Sequence, residues 1–138
     1  MSAPRFAAPL SAVDELDARS ADGRLLLSVR KHVVADDPYL PAHFPGRPVY
    51  PGVFILETVR QAVSAALGEV GGAVADLASV AALRFVGALR PGESLWVEAA
   101  VGAAGPDGGI PVEARCRRAD GSDVARLKLE FRYPATDD

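Results

Sequence analysis

The chain has a single cysteine, Cys116. An intramolecular disulfide framework is therefore excluded, and so is any zinc site built from cysteine thiolates. A reducing compartment fits that usage, and the expected location is cytoplasmic. Histidine is scarce too, with His32 and His43 the two in the sequence. No stretch approaches the roughly 18 apolar residues of a helical membrane span, so no membrane role is expected. The first residues, Met1 to Val13, hold one arginine and no continuous apolar run, which does not read as a secretory signal. The formal net charge is −3 and the pI about 5.4, so an overall basic field for nucleic acid is missing. There is no GxSxG elbow, no Walker A loop and no GxGxxG following a strand. No repeat of solenoid length is present.

What is present is ordinary globular material. Of 138 residues, 49% are hydrophobic and 24% charged. One domain over 1–138 is expected, large enough to bury a core without a metal or a disulfide, with 1–13 a loose lead-in. Arg24 to Val34 reads as a strand that places Leu25, Leu27 and Val29 on one face. Three further stretches alternate. Ser94 to Ala103 sets Leu95, Val97, Ala99 and Val101 on one side. Ile110 to Cys116 sets Ile110, Val112, Ala114 and Cys116 against Glu113 and Arg115. Val124 to Tyr133 sets Ala125, Leu127, Leu129, Phe131 and Tyr133 against Arg126, Lys128, Glu130 and Arg132. Ala78 to Val86 is a further strand. Short links at Arg90 to Glu93, Gly105 to Gly109 and Asp120-Gly121 predict an antiparallel meander.

Two segments break this pattern. Asp36 to Gly52 carries Pro38, Pro41, Pro45, Pro48 and Pro51, a density that excludes helix and central strand. It also carries Tyr39, Leu40, Phe44, Val49 and Tyr50, so it reads as a rigid, partly buried loop. Val53 to Leu67 is the one long helix candidate. Pro51-Gly52 precedes it, and Gly68, Gly71 and Gly72 are placed beyond its end. Glu57, Arg60, Gln61 and Ser64 fall on one narrow stripe, and the rest of the helix is apolar and expected to be buried. The sum is an α+β fold, one long buried helix wrapped by a curved antiparallel sheet.

Few side chains are suited to chemistry. His32 stands on a polar strand face beside Arg30. His43 lies inside the proline-rich loop, flanked by Phe44 and Pro45, and taken alone reads more readily as a packed loop histidine than as a functional one. Glu57 is the one acid between Val53 and Leu67. The stripe it shares faces either water or a tunnel. In a tunnel, desolvation would raise its pKa and keep it protonated, as a general acid requires. The free N–H groups near Gly52 and Val53 would polarise a carbonyl oxygen, and Gly52 permits close approach. His32 and His43 have no acid at ligand spacing, so no metal site is expected. Cys116 alternates on the apolar side of its strand and reads as core. The glycines at 102, 105, 108 and 109 suit a hairpin loop rather than a phosphate cradle.

The string His43-Phe44-Pro45-Gly46-Arg47-Pro48-Val49-Tyr50-Pro51-Gly52-Val53-Phe54-Ile55-Leu56-Glu57 resembles the signature of the FabZ-type β-hydroxyacyl-acyl-carrier-protein dehydratases, HFPGxPxxPGVLxxE. Gln61 matches the glutamine that follows it. Arg84-Phe85 and Arg90-Pro91-Gly92-Glu93 resemble the family's later RF and RPVxPGD segment. The likeness spans roughly Gly23 to Tyr133 and is strongest from Pro38 to Ala62. It departs at Ala42, where the family has glycine, at Phe54, where it has leucine, and over Met1 to Asp22.

The resemblance implies a hotdog fold and a dimer, homodimeric or heterodimeric, with each active site built across the interface. His43 would come from one subunit and Glu57 from the other. It implies that His43 removes the α-proton of a 3-hydroxyacyl thioester. The amide near Gly52 would stabilise the enolate oxygen, and Glu57 would protonate the departing hydroxyl. Phe44, Val53 and Gln61 would line the substrate site. No cofactor is implied, because the substrate arrives on the phosphopantetheine arm of an acyl carrier protein. Arg47, Arg84, Arg90 and Arg126 are the candidates for docking that acidic partner. The pathway would be fatty-acid or polyketide and polyene synthesis, with the departures leaning toward the latter. Two other readings share the fold: a partner subunit of a hotdog heterodimer that binds acyl chains, and an acyl-CoA thioesterase.

Overall fold

The computed structural model describes residues 13–33, 52–71, 74–90 and 92–134. Strands β1 (Glu15–Ala21) and β2 (Arg24–His32) come first, followed by helix α1 (Gly52–Gly71). Then come β3 (Asp76–Phe85), β4 (Ser94–Val101), β5 (Ile110–Arg117) and β6 (Asp123–Arg132). The strands form one antiparallel sheet in the order β1-β2-β4-β5-β6-β3. This is the helix-and-sheet arrangement the sequence predicts.

Alternation puts the core where it was expected. Leu27 and Val29, then Leu95, Val97, Ala99 and Val101, are buried on one face. Ile110, Val112, Ala114 and Cys116 continue it on β5, and Ala125, Leu127, Leu129 and Phe131 on β6. Register lines these residues up: Val29 pairs with Val97, Val97 with Cys116, and Cys116 with Ala125. The helix adds Ile55, Val59, Ala62, Val63 and Ala66, one face at the 3.6-residue period. Burial pushes the Cys116 thiol up to about 12, which makes it an inert core residue.

Three features differ from the sequence reading. First, β1 was not foreseen, because its short stretch ELDARSA is rich in charge and almost wholly exposed. It is an edge strand held by its ladder to β2, and the two join through Asp22-Gly23. Both turn residues have positive φ, 53° and 74°, as a two-residue hairpin turn demands. Second, α1 continues through Gly68 to Gly71. Packing overrides the glycine's weak helix propensity here, because Ala66 and Leu67 are buried. Tyr133 Oη also donates to the Leu67 carbonyl at 2.7 Å. Third, β3 does not pair with β4, its successor, but with β6. The meander covers β4 to β6 alone, and β3 forms the other edge. Its register slips between Leu77 and Ser79 and between Val80 and Ala82, irregularities that bend a strand.

Candidate active site on the polar stripe of the helix

Glu57 lies on the second turn of α1, and its side chain is 24% exposed. Three and four residues on, Arg60 and Gln61 rise on the same side of the helix, the spacing at which helical side chains meet. Arg60 forks the carboxylate. Its Nε donates to Oε1 at 2.8 Å and its Nη2 to Oε2 at 2.5 Å. Gln61 Nε2 donates to Oε2 at 2.8 Å. The third arm of the guanidinium, Nη1, reaches Asp76 Oδ1 at 3.1 Å, at the first residue of β3. That oxygen also accepts from the Leu77 amide at 2.7 Å. Ser64, one turn further along the stripe, has a buried hydroxyl with no hydrogen-bond partner among the described residues.

This geometry opposes the raised pKa that a desolvated tunnel would give Glu57. The hydrogen bonds and charge of Arg60, joined by Gln61, hold the carboxyl below its usual value. Partial burial and the nearby Asp76 charge pull the other way and lose. Arg60 is correspondingly raised, first by its bond to Glu57. As built, the stripe presents an anion held by a cation, not a neutral acid.

Several other residues singled out from the sequence can be placed. Gly52 is the first residue of α1 and Val53 the second. His43, Phe44 and Arg47 lie outside the described residues. Arg84 on β3 and Arg126 on β6 stand directly opposite each other, and Arg126 is also opposite Arg115 on β5. Their neighbours Ala125 and Leu127 point into the core, so this arginine row lies on the outer face of the sheet. Asp123 is shared between Arg115 at 3.5 Å and Arg126 at 3.2 Å. A trough of about 610 Å³ runs over this face, lined by Arg19, Ser28, Arg84, Glu113, Arg126 and Lys128 among others. Arg90 sits apart on the β3–β4 connection, where its amide donates to Glu93 Oε1 at 2.8 Å. His32 is exposed, with its Nδ1 3.2 Å from Ser94 Oγ.

Sequence reasoning placed Arg60 on the stripe but gave it no task. The i, i+3 acid and base pair was the available signal. Asp76 carried no signal, since only the tertiary structure brings β3 to the helix.

A family model for the FabA-like domain matches residues 6–125, and the chain belongs to that family. Curated relatives include the 3-hydroxyacyl-[acyl-carrier-protein] dehydratase FabZ of Pelotomaculum thermopropionicum. That protein is 40% identical over 80 residues, which are 56% of this chain and 56% of the relative. FabZ of Thermus thermophilus is 43% identical over 72 residues, 49% of this chain and 51% of the relative. The chain spans about half the length of the curated relatives it matches. Among solved structures, yhdA from Lactococcus lactis superposes with a TM-score of 0.74 at 8% identity, covering 91% of this chain and 94% of that one. The dehydratase heterocomplex ApeI:P from Xenorhabdus doucetiae gives 0.59 at 14% identity, over 87% and 97%. At such identities the likeness shows the fold alone, and that fold is the hotdog fold. No helix of the described residues is long and apolar enough to cross a membrane.

Proposed function

We propose that this chain is a single-domain 3-hydroxyacyl-[acyl-carrier-protein] dehydratase, which removes water from a 3-hydroxyacyl thioester to give the trans-2-enoyl thioester. The observation that carries the reading is Glu57. It is a part-buried carboxyl on the second turn of the helix, hydrogen-bonded by Gln61, at the motif's spacing from His43. The FabZ names of the curated relatives support it. His43 takes the α-proton, and the thioester supplies the acidity that makes this feasible for an imidazole. The amide at Gly52, at the helix start, meets the oxygen where negative charge develops. Glu57 then delivers a proton to the leaving hydroxyl. The proton begins on Glu57 and ends on water, while the α-proton ends on His43. Phe44, Val53 and Gln61 border the acyl chain. No cofactor enters.

The substrate is carried by an acidic acyl carrier protein, of fatty-acid or polyketide type, in the cytoplasm. Arg84 and Arg126, in register with Arg115, supply a basic field that steers it. Arg90, on the β3–β4 connection, and Arg47 complete the candidate docking set.

The site is completed by a second hotdog subunit. Support comes from β3, whose Val80, Leu83 and Phe85 pair with core-facing residues of β6 yet are each at least 40% exposed. The opposite edge, β1, is guarded by Glu15, Asp17 and Arg19, the charged kind of edge that discourages pairing. One observation favours a second reading, a partner subunit whose own acid is idle: the ion pair that keeps Glu57 charged.

The test is mass spectrometry of 3-hydroxyacyl carrier proteins incubated with the purified chain, beside His43→Ala and Glu57→Ala. Loss of water in the wild type alone is expected. A folded, dimeric protein that leaves every chain length unchanged overturns the reading in favour of the partner subunit.

A further inference from the structure

The dehydratase reading asks Glu57 to give up a proton, yet the structure surrounds it with donors. Among the described residues, the charged groups acting on it are Arg60 on its own helix and Asp76 on β3. Besides β3, the helix packs chiefly against β2 and β4. The core-facing charge of β2, Lys31, pairs with Asp14 at 3.9 Å. The core face of β4 is Leu95, Val97, Ala99 and Val101, without charge.

We propose that Arg60 is a positioning residue of the site, whose guanidinium fixes the Glu57 carboxyl and, shared with Asp76, ties it to the edge strand β3. This rests on the dehydratase reading of Glu57. The fork leaves the carboxyl a single orientation, with both oxygens engaged. It also decides where the proton sits. A one-proton site made of a carboxyl and an imidazole reacts only when the carboxyl holds the proton and the imidazole is free. Stabilising the carboxylate makes that arrangement the minority form, and the two groups titrate as a pair. Asp76 moderates the effect. It holds the remaining arm of the guanidinium and adds a negative charge of its own. A partner strand that paired along β3 and engaged Asp76 would therefore reach the acid through Arg60.

The two ends of this relay have opposite signs, which makes the proposal testable. Removing the cation should ease protonation of Glu57, and removing the Asp76 charge should oppose it. The measurement is the ¹³C carboxyl titration of Glu57 in the full chain at low ionic strength. Arg60→Met should move its midpoint up from the wild type and Asp76→Asn should move it down. Arg60→Lys should stay close to wild type. The acid limb of the kcat/KM profile for a 3-hydroxyacyl carrier protein should shift in the same directions. A side chain that merely supported the fold would lower activity without moving that limb.

Coincident Glu57 titrations in wild type and Arg60→Met overturn the proposal, as does a shift of the same sign for Arg60→Met and Asp76→Asn. If the wild type turns over no hydroxyacyl substrate, the dehydratase reading fails. The carboxyl titration still decides the relay.

Discussion

Breaking the Glu57–Arg60 pair should cost stability only while the carboxyl is charged. Two unit charges about 4 Å apart attract by about 4 kcal/mol at an effective dielectric near 20. Desolvation and the entropy of holding two long side chains cancel most of that, and exposed pairs retain only about 0.2–1 kcal/mol. This pair is bidentate, with side chains 24% and 30% exposed, so a coupling near the top of that range, about 1 kcal/mol, is expected. The assay is a double-mutant cycle of Glu57→Gln and Arg60→Met by urea unfolding at pH 7 and low salt.

The pH dependence has a definite sign. The folded Glu57 pKa is depressed from 4.5, so its contribution is complete well above pH 4.5 and is lost as the pH falls through the folded value. Glu57→Gln should lack that loss. A coupling indistinguishable from zero at low salt, or one that does not diminish as the pH falls through the folded Glu57 pKa, would refute the reasoning.

Three further outcomes are expected. Phe131→Ala removes a fully buried ring from the sheet face and should destabilise by about 3–5 kcal/mol, read by thermal or urea unfolding. Gly23→Ala should cost about 1–2 kcal/mol through φ alone, because a Cβ at that turn meets nothing within 4 Å. A melting temperature unchanged from wild type would remove the turn argument. Ser64→Ala should leave stability unchanged or raise it by up to about 1 kcal/mol, since the buried hydroxyl it deletes has no partner among the described residues. A clear loss in urea unfolding would show that the hydroxyl is satisfied in the assembled protein.

The strands β2, β4, β5 and β6 and the start of α1 were legible because their signals are local. Alternation places Leu95, Val97, Ala99 and Val101 on one face whatever the rest of the chain does. The i, i+4 spacing of Glu57 and Gln61 likewise brought them together in the sequence, and the structure bonds them. Strand β1 was illegible because its residues are exposed and it exists through its ladder to β2. The pairing of β3 with β6 was equally hidden, since a strand's residues do not record which neighbour they meet after some forty residues of chain.

The charge on Glu57 was legible only in part. The apolar residues before it argued for desolvation and a held proton. A guanidinium one turn away on the same helix reverses that sign, and Asp76 from another element opposes it only in part. The sequence by itself determined which groups are available and which face each element buries, because side-chain direction follows the backbone period. Only the tertiary structure decided the strand order, the place of β3 at the sheet edge and the approach of Asp76 to the Arg60 guanidinium. Strand partners and the approach of charges from other elements depend on distances in space, which neighbours in sequence do not set.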